Sequence, residues 1–466
     1  MENIILVDRA LNFIDEILRN TSVNVVVLVV DSREQDIAKY IQNPRVKAVY
    51  TVAELDSLDT ARGLSFPFIR ACKPVQLRAE NAMHRFDTDY NDKKYRYYMG
   101  LAFWHRIFEE NTIDMVLLTG MSHGFVYDGV LLGVAIQYSD VEVYGLNAIG
   151  INQWNVFVYN HKEEKIMQVK NDIEISDMTA YLKNGTNDVL NLDFNLRKNG
   201  FTRNKSARGF VLKKTYEWFG YYGRELLIAL KTRSFFVDRQ LCTSGFSASL
   251  FYTFKSYYRI FLTHRYLKKH EKEMKRETPY IYYPLHFEPE ATTQTRTTLE
   301  SQLVVIKMIA ECLPKGWKLL VKEHPHQYKL NNNLMYYMVT NGDLFKTVKY
   351  YQRIISIPNV ELVSSKYDGD ELSLHAQAVA SLNGSALLEA IEMRKPVLLF
   401  SEYHPFVHVD GVFKCFGYTE CEESIKKIYD GYEPNYENVL SVMNHYVSST
   451  KDDLMKNIIG LINKEE

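Results

Sequence analysis

Several patterns that mark common functional classes are missing from this 466-residue sequence. No G-x-G-x-x-G follows the first strand-like run, so the fingerprint of a dinucleotide-binding domain is absent. The five cysteines are odd in number and show no C-x-x-C spacing, which argues against a zinc site and fits a reducing compartment. The longest apolar run, Val25 to Val30, is far too short to span a bilayer. The formal net charge of −1 argues against a general nucleic-acid binder.

The remaining composition is typical of a globular chain that buries large cores. Hydrophobic residues make up 46% of the sequence and charged residues 24%, and the length predicts two or three domains. Met1 leads directly into the strand-like run Ile4 to Asp8, without a basic leader segment. We therefore expect a cytoplasmic protein, one that can also lie at the inner face of the cell membrane.

Strands and helices alternate in the first half of the sequence. Buried strands are predicted at residues 4–7, 25–30, 48–52, 115–119 and 141–146, and helices at 11–18, 95–110 and 130–136. Strands separated by helices pair in parallel, because the crossover helix returns the chain to the same end of the sheet. The pattern predicts a Rossmann-like domain over residues 1–195.

A basic and aromatic segment follows, predicted to be helical over residues 196–277. Between Arg197 and Arg276, 19 Lys and Arg residues stand against 5 Asp and Glu residues. Two interpretations stay open: a connector whose charges are solvated, or a surface that faces an anionic partner such as a membrane leaflet or an acidic glycan. Nucleic acid is the weaker alternative, since no recognised binding module accompanies the segment.

Polar residues follow three strands of a second α/β domain, predicted over residues 278–435. Its strands are predicted at 280–283, 317–322, 360–363, 378–382 and 396–400, and an amphipathic helix at 451–464 falls in a C-terminal helical region, 436–466. Open α/β sheets place their ligands at the carboxyl ends of strands, so three polar strand ends in one domain predict a binding cleft. The candidate binding residues are His286 and Glu288 after the first strand, Lys322, His324 and Pro325 at the end of the second, and Asn383, Gly384, Ser385 and Glu389 after the fourth.

The residues at the end of the second strand suit a phosphate group. Lys322 and a protonated His324 are natural partners for phosphate, and Pro325 stiffens the turn that carries them. Taken alone, a His-Pro pair at a strand end is also explained by an ordinary turn.

The residues after the fourth strand suit an anion at a helix start. Ser385 is a good N-cap for the helix predicted from residue 386, and Gly384 lets a ligand approach the backbone. Glu389, one turn into the helix, can accept hydrogen bonds from ribose hydroxyls. Simple capping with a solvated carboxylate explains this element equally well by itself. The repetition at three strand ends is what favours a binding site.

The segments YYPLHFEPEATT, VKEHP and NGSALLEA followed by KPVLLF, in this order, resemble the bacterial capsule polysaccharide biosynthesis proteins, which include the Kdo transferases. The specific part of the resemblance covers about residues 280–400, a quarter of the chain. It implies a GT-B-type glycosyltransferase with two Rossmann-like domains facing a cleft, the first binding the acceptor and the second an activated sugar, in the first place a CMP-linked 2-keto-3-deoxy acid. It also implies that His324 and Pro325 hold the nucleotide phosphate, with Ser385 beside it and His286 facing the same cleft.

The resemblance defines the catalytic group less closely. Retaining transfer needs a carboxylate nucleophile or a comparable stabiliser, and inverting transfer needs a base on the acceptor hydroxyl. His123 and Asp128 follow a strand of the first domain and can face the cleft, while Asp238 is the one acidic residue between Glu225 and Glu271. We choose Asp128 as the catalytic carboxylate, with His123 and Asp238 as the other candidates.

No metal and no cofactor are expected, because the nucleotide sugar is a substrate. The D-x-D patterns at 87–89 and 368–370 do not end an apolar strand, which argues against a metal site. Lys322 and His324 supply positive charge for the phosphate without a metal ion. The expected partners are a nucleotide-sugar donor and a glycan or lipid-linked acceptor, with peripheral membrane contact and no nucleic acid. Two alternatives stay open: a nucleotide-sugar 2-epimerase of the same architecture, and a non-catalytic glycan-binding or export accessory protein.

Overall fold

The computed structural model describes both predicted α/β domains and the final helix. The described residues are 1–8, 13–30, 37–83, 90–119, 126–149, 154–172, 174, 246–289, 293, 297–324, 327–328, 344–384 and 386–464. Of the predicted site residues, His123, Asp238, Pro325 and Ser385 lie outside this part of the chain, as does most of the basic segment predicted at 196–277.

The first sheet is built on five parallel strands. Its described strands are β1 (Asn3–Asp8), β2 (Asn24–Val30), β3 (Val49–Thr51), β4 (Met115–Thr119), β5 (Glu142–Ala148), β6 (Val156–Asn160) and β7 (Lys165–Ile166). The first five pair in parallel, in the order β3-β2-β1-β4-β5. β1 and β2 are runs of Ile, Leu and Val buried along nearly their whole length, as expected of parallel strands covered on both faces. The five predicted strands are confirmed.

Two antiparallel strands, which the sequence pattern did not predict, extend this sheet. β6 pairs with β5 and β7 pairs with β6, both antiparallel. β6 follows β5 after a short connection rather than a crossover helix, so a search for alternating strands and helices misses it.

Helices cover the faces of the first sheet. They are α1 (Ile14–Asn20), α2 (Ile37–Ile41), α3 (Val52–Asp56), α4 (Phe66–Ala71), α5 (Lys73–Met83), α6 (Tyr90–Glu110) and α7 (Leu131–Ala135). The helix predicted at 95–110 is confirmed and begins five residues earlier, at Tyr90. A π-helical turn, Val126–Val130, precedes α7. Helical structure is therefore present four residues before the helix start predicted at residue 130.

The second sheet is wholly parallel. Its strands are β8 (Tyr280–Pro284), β9 (Lys318–Lys322), β10 (Val360–Leu362), β11 (Ala378–Ser381), β12 (Val397–Leu399) and β13 (Val412–Lys414). Their order is β10-β9-β8-β11-β12-β13, the strand order of a doubly wound nucleotide-binding fold. The five predicted strands are confirmed to within one residue at each end, and β13 is an addition to them.

The helices of the second half include one that returns to the first domain. They are α8 (Phe246–His270), α9 (Gln302–Cys312), α10 (Val348–Ser356), α11 (Gly369–His375), α12 (Ala386–Glu392), α13 (Tyr418–Tyr429), α14 (Val439–Tyr446) and α15 (Lys451–Asn463). The predicted apolar face of α15 buries Leu454 and Ile458 in the core that contains Ile4 of β1 and Ile17 of α1. Two Rossmann-like domains with mainly parallel sheets give the predicted GT-B-type α/β architecture. Among the described helices, none combines the length and the apolar character needed to cross a membrane.

Candidate functional site

The second sheet has a topological switch point between β8 and β11. From β8 the chain moves to β9 and β10 on one side, and it then returns to β11 on the other side. Open α/β sheets bind ligands in the crevice where the strand order reverses, outside the carboxyl ends of the strands. The loops after β8 and β11 meet at this point, and they carry the predicted residues His286, Asn383 and Gly384.

His286 joins these two loops. Its Nε2 lies 3.1 Å from Ser381 Oγ and accepts a hydrogen bond from the Asn383 backbone N–H at 3.3 Å. Because a backbone N–H can only donate, Nε2 is unprotonated and the ring proton resides on Nδ1. Burial, and then the nearby Lys346 ammonium, lower the pKa of His286 to about 3. His286 is therefore a neutral hydrogen-bonding group at neutral pH rather than a cation.

The close approach of Gly384 to His286 explains why a glycine stands there. A Cβ atom built at Gly384 would lie 3.1 Å from His286 Cε1 and 3.8 Å from its Nδ1. Ser381 and Asn383 hold the ring, and an added methyl group would require it to shift by a few tenths of an ångström. The glycine also leaves the backbone at the crevice uncovered.

Two glutamines fix the loop after β8. Gln302, the first residue of α9, accepts the His286 backbone N–H at 2.8 Å and donates to a carboxylate oxygen of Glu288. Gln327 accepts the Glu288 backbone N–H at 2.9 Å and donates from Nε2 to the Glu288 carbonyl at 2.7 Å. Glu288 is 7% exposed, so its carboxylate maintains the shape of this loop.

A buried ion pair, which the sequence did not predict, supports the same loop. Lys346 is 2% exposed, and its Nζ donates to Glu323 Oε1 and to the His286 carbonyl, both at 2.6 Å. Tyr351 donates to the other oxygen of Glu323, and the hydroxyls of Tyr351 and Tyr328 lie 2.6 Å apart. Buried charges are tolerated only when they are paired and hydrogen-bonded. This chain of contacts therefore holds the loops after β8 and β9 together.

The local sequence around Lys346 gives no indication of this role. Lys346 precedes Thr347, the N-cap of α10, whose side chain accepts the Tyr350 N–H at 3.2 Å. A lysine beside a helix start is usually solvated, so the local pattern predicts an exposed side chain. Its burial depends on partners far away in the chain, Glu323, 23 residues earlier, and the His286 carbonyl.

Lys322 and His324 lie at the end of β9, as predicted. Lys322 is the last residue of that strand and is 9% exposed, and its carbonyl accepts the Leu285 N–H at 2.8 Å. The half-buried His324 ring packs edge to face against Phe287, with 5.8 Å between the ring centroids. Both residues therefore adjoin the loop after β8. Their role in holding phosphate stays a prediction.

Glu389 is half-buried on α12, near the start of α11. A Cβ atom built at Gly369 would lie 3.9 Å from Glu389 Oε2 and 3.7 Å from the Tyr282 hydroxyl. The D-x-D pattern at 368–370 therefore forms a helix start beside Glu389. Within the described residues, no three His, Cys, Asp or Glu side chains are placed to hold a metal ion.

Asp128 lies in the first domain, apart from the residues that the switch point brings together. It is 3% exposed in the π-helical turn, between the buried Tyr127 and Val130, and its Oδ1 accepts the Gly129 N–H. The structure thus groups His286, Glu288, Lys322, His324, Asn383 and Gly384 at the second sheet and places Asp128 at the first. The catalytic role of Asp128 stays a prediction.

A cavity of about 120 Å³ lies beside Gly129, the residue that follows Asp128. Arg78 of α5 lies 5.4 Å from the Tyr403 ring centroid, and that ring lies 4.9 Å from the ring of Tyr159. Nine of the ten described residues that line this cavity belong to the first domain, and Tyr403 belongs to the second. Its lining residues are Val75, Arg78, Ala79, Gly129, Leu132, Ile136, Tyr159, His161, Glu164 and Tyr403.

Comparison with known proteins finds distant structural similarity. No protein-family model and no curated protein matches the chain. The UDP-GlcNAc 2-epimerase from Methanocaldococcus jannaschii aligns over 100% of both chains at 11% identity, with a TM-score of 0.27. The β-Kdo 2,7 transferase KpsC from Thermosulfurimonas dismutans aligns over 87% of this chain and 98% of its own at 12% identity, with a TM-score of 0.29. S. aureus MnaA in complex with UDP aligns over 100% and 96% at 12% identity, with a TM-score of 0.27. Because these TM-scores are below 0.5, the fold assignment rests on the strand order of the chain itself.

Proposed function

We propose that the protein is a GT-B-type glycosyltransferase of surface or capsular polysaccharide assembly, which transfers a sugar from a nucleotide donor to a glycan or lipid-linked acceptor. The observation that carries this proposal is the switch-point crevice of the second sheet, where His286 meets the backbone of Asn383 beside an uncovered Gly384. Neutral hydrogen-bonding groups, and backbone that no side chain covers, suit a nucleotide sugar, because its many hydroxyls need hydrogen-bonding partners in fixed positions. The resemblance of segments 280–400 to capsule biosynthesis proteins makes a CMP-linked Kdo-like acid the first donor to test.

In this proposal the second domain holds the donor. Lys322 and His324, at the end of β9, offset the charge of the donor phosphate without a metal ion. Neutral His286 donates from Nδ1 to the donor, and Glu389 accepts from ribose hydroxyls. Glu288 acts indirectly, because its carboxylate is bonded to Gln302 within the loop.

The first domain supplies the acceptor side in this proposal. An activated sugar must be shielded from water while an acceptor hydroxyl reaches it, which a cleft between two domains provides. Asp128 is the proposed carboxylate, because its neighbour Gly129 lines the cavity that Tyr403 of the second domain also borders. His123 and Asp238 remain the alternative candidates.

The donor class is tested by thermal shift of the full chain with CMP-, UDP- and GDP-sugars, followed by assays with and without an acceptor. We expect one nucleotide class to raise the Tm and transfer to require the acceptor. Conversion of a UDP-sugar without any acceptor would instead identify a 2-epimerase. A folded protein that neither transfers nor hydrolyses any donor would be a glycan-binding or export accessory protein.

The phosphate site is tested with His324→Ala. Removing the imidazole should abolish donor binding in a calorimetric titration while the Tm stays within a few degrees, because the ring is half-buried at the end of a strand rather than part of a core. His375→Ala, at an exposed position of α11 in the same domain, is the matched control and should bind the donor like the wild type. Unchanged donor affinity in folded His324→Ala would remove His324 from the site.

A further inference from the structure

The helix that leads into the second domain, α8, packs on it by one face. Leu267 is 2% exposed and belongs to the core that contains Ile281 and Tyr283 of β8. His264 stacks on Tyr328, with 5.1 Å between the ring centroids. Since Tyr328 belongs to the hydrogen-bond chain behind His286, the inner face of α8 is fixed close to the switch-point loops.

The opposite face of α8 exposes large apolar side chains together with basic ones. Tyr258 is 64% exposed, Phe261 59% and Leu262 39%, and Arg265 and Lys269 are exposed as well. Positions 258, 262, 265 and 269 are spaced by four, three and four residues, so they share one stripe of the helix with residue 261 alongside. We call these five residues the outer face of α8.

The charge of the helix is of one sign. The 25 residues of α8 include five Lys and Arg residues and no Asp or Glu. Lys268 is paired with Glu271 at 3.1 Å, whereas within the described part of the chain neither Arg265 nor Lys269 contacts a carboxylate. Scattered exposed apolar residues are ordinary on protein surfaces, but a contiguous group of them marks an interaction surface. The basic residues beside this group select an anionic partner.

We propose that the outer face of α8 docks the protein on an anionic lipid bilayer. Aromatic and leucine side chains on one stripe of a helix enter the boundary between headgroups and acyl chains, while Arg and Lys pair with lipid phosphates. A helix of 25 residues is about 37 Å long, enough to lie along the membrane plane. Docking needs no bound donor, so this inference goes beyond the proposed transfer reaction and does not depend on it.

The docking surface lies near the site rather than at a remote part of the molecule. The inner face of α8 touches Tyr328, and Tyr328 connects through Tyr351 and Glu323 to the Lys346 ammonium that bonds the His286 carbonyl. A bilayer that binds the outer face of α8 is therefore separated from these loops by the width of α8 alone. An acceptor carried in the membrane would approach on this side.

Flotation of the full chain with vesicles tests the proposal. We expect wild type to float with vesicles of phosphatidylcholine mixed with phosphatidylglycerol, to remain unbound with phosphatidylcholine alone, and to be released at high salt. Arg265→Glu/Lys269→Glu should lower the partition coefficient by about tenfold or more, because two attractions to the anionic surface become repulsions. Phe261→Ser should lower it by about tenfold through the lost apolar contact.

Two matched variants separate this surface from net charge and from misfolding. Lys426→Glu/Lys427→Glu, at exposed positions of α13, changes the net charge equally and should leave flotation unchanged. Arg265→Lys/Lys269→Arg keeps the charge and should float like the wild type. Each variant is compared by Tm before flotation.

Three outcomes would overturn the proposal. The first is wild type that does not float with the anionic vesicles, and the second is Arg265→Glu/Lys269→Glu that floats as well as wild type. The third is an equal loss of flotation in Lys426→Glu/Lys427→Glu, which would show that flotation depends on the net charge of the protein and not on the outer face of α8. If wild type instead forms a dimer that Phe261→Ser abolishes and does not float, the outer face is an interface between copies of the chain.

Discussion

The carboxyl ends of both parallel sheets carry buried acidic side chains that accept a nearby backbone N–H, and at the second sheet one of these acids also takes part in a contact that joins two loops. At the first sheet, Asp8 ends β1, is 1% exposed and accepts the N–H of Ile14, the first residue of α1, at 2.9 Å. Asp128 accepts the N–H of the next residue. At the second sheet, the Lys346 ammonium bonds at 2.6 Å both to Glu323 and to the His286 carbonyl, which belong to different loops.

This difference separates local stabilisation from the construction of a site. A carboxylate that accepts a backbone N–H near a helix start stabilises that helix. A short acidic side chain at that position is sufficient for this role. Bonds between distant loops fix the loops relative to one another, which is what a preorganised binding site requires. The second sheet therefore has the preorganised loops that the proposed donor site requires, whereas the acids of the first sheet must be distinguished by their effect on turnover.

The largest effect is expected from breaking the buried ion pair. Lys346→Met keeps the length of the side chain but leaves Glu323 buried without its counter-ion. We expect a loss of about 3–5 kcal/mol in the free energy of unfolding, measured by urea denaturation. Donor affinity should fall as well, because the His286 carbonyl loses the bond that holds its loop.

A surface pair provides the matched control for this variant. Lys307 and Glu311 of α9 are 2.9 Å apart, with side chains 50% and 45% exposed, so Lys307→Met should cost about 0.5 kcal/mol or less. Glu323→Gln combined with Lys346→Met removes both charges and should recover part of the stability. If Lys346→Met costs no more than Lys307→Met, the two sheets do not differ in the way described above.

Much of the fold could be predicted from the sequence because its strands are locally encoded. Runs such as Val25 to Val30 and Tyr280 to Tyr283 are long enough, and apolar enough, to mark buried parallel strands. β6 and β13 escaped prediction for different reasons: β6 follows β5 without a crossover helix, and β13 is a three-residue strand with one fully buried position. Short strands take their structure from their neighbours in the sheet rather than from their own pattern.

The site was predictable only where its residues follow strands directly. His286, Lys322, His324 and Asn383 stand at or just beyond strand ends, so the position of the strand places them. Lys346 has no such marker, since its burial depends on a partner in another loop. Gln302 and Gln327 are missed for the same reason: an amide that bonds a distant backbone has the same sequence context as a solvated one.

At the first sheet, Asp128→Asn tests whether a buried acid acts in the chemistry. The substitution keeps the shape and removes the charge, so we expect donor binding near wild type and turnover reduced by a hundredfold or more, about 2.7 kcal/mol of barrier. Steady-state kinetics and donor titration measure the two quantities separately. Asp238→Asn, made in parallel, is the comparison: loss of turnover there, with Asp128→Asn active, would place the catalytic carboxylate in the basic segment.

The smallest expected effect concerns the protonation state of His286 at the second sheet. Its pKa is lowered to about 3 by burial and by Lys346, while an unfolded histidine titrates near about 6.5. As pH falls through about 6.5, the unfolded chain takes up a proton that the folded chain excludes. The contribution of His286 to the free energy of unfolding is therefore complete above about pH 6.5 and decreases toward pH 3. The decrease is at most about 1.4 kcal/mol per pH unit. Between pH 7 and pH 5 we expect a loss of about 1–2 kcal/mol from this group, allowing for its partial exposure.

His286→Gln keeps an acceptor for the Asn383 N–H and removes the titration, so its urea-unfolding free energy should fall less than that of wild type over the same pH range. His375→Gln, at an exposed position of α11, controls for the loss of a histidine as such. Identical pH dependence in wild type and His286→Gln would mean that folded His286 binds a proton as readily as the unfolded chain does. Nε2 could then no longer be assigned as the acceptor of the Asn383 N–H, and the loops after β8 and β11 would lack the contact that distinguishes this sheet from the first.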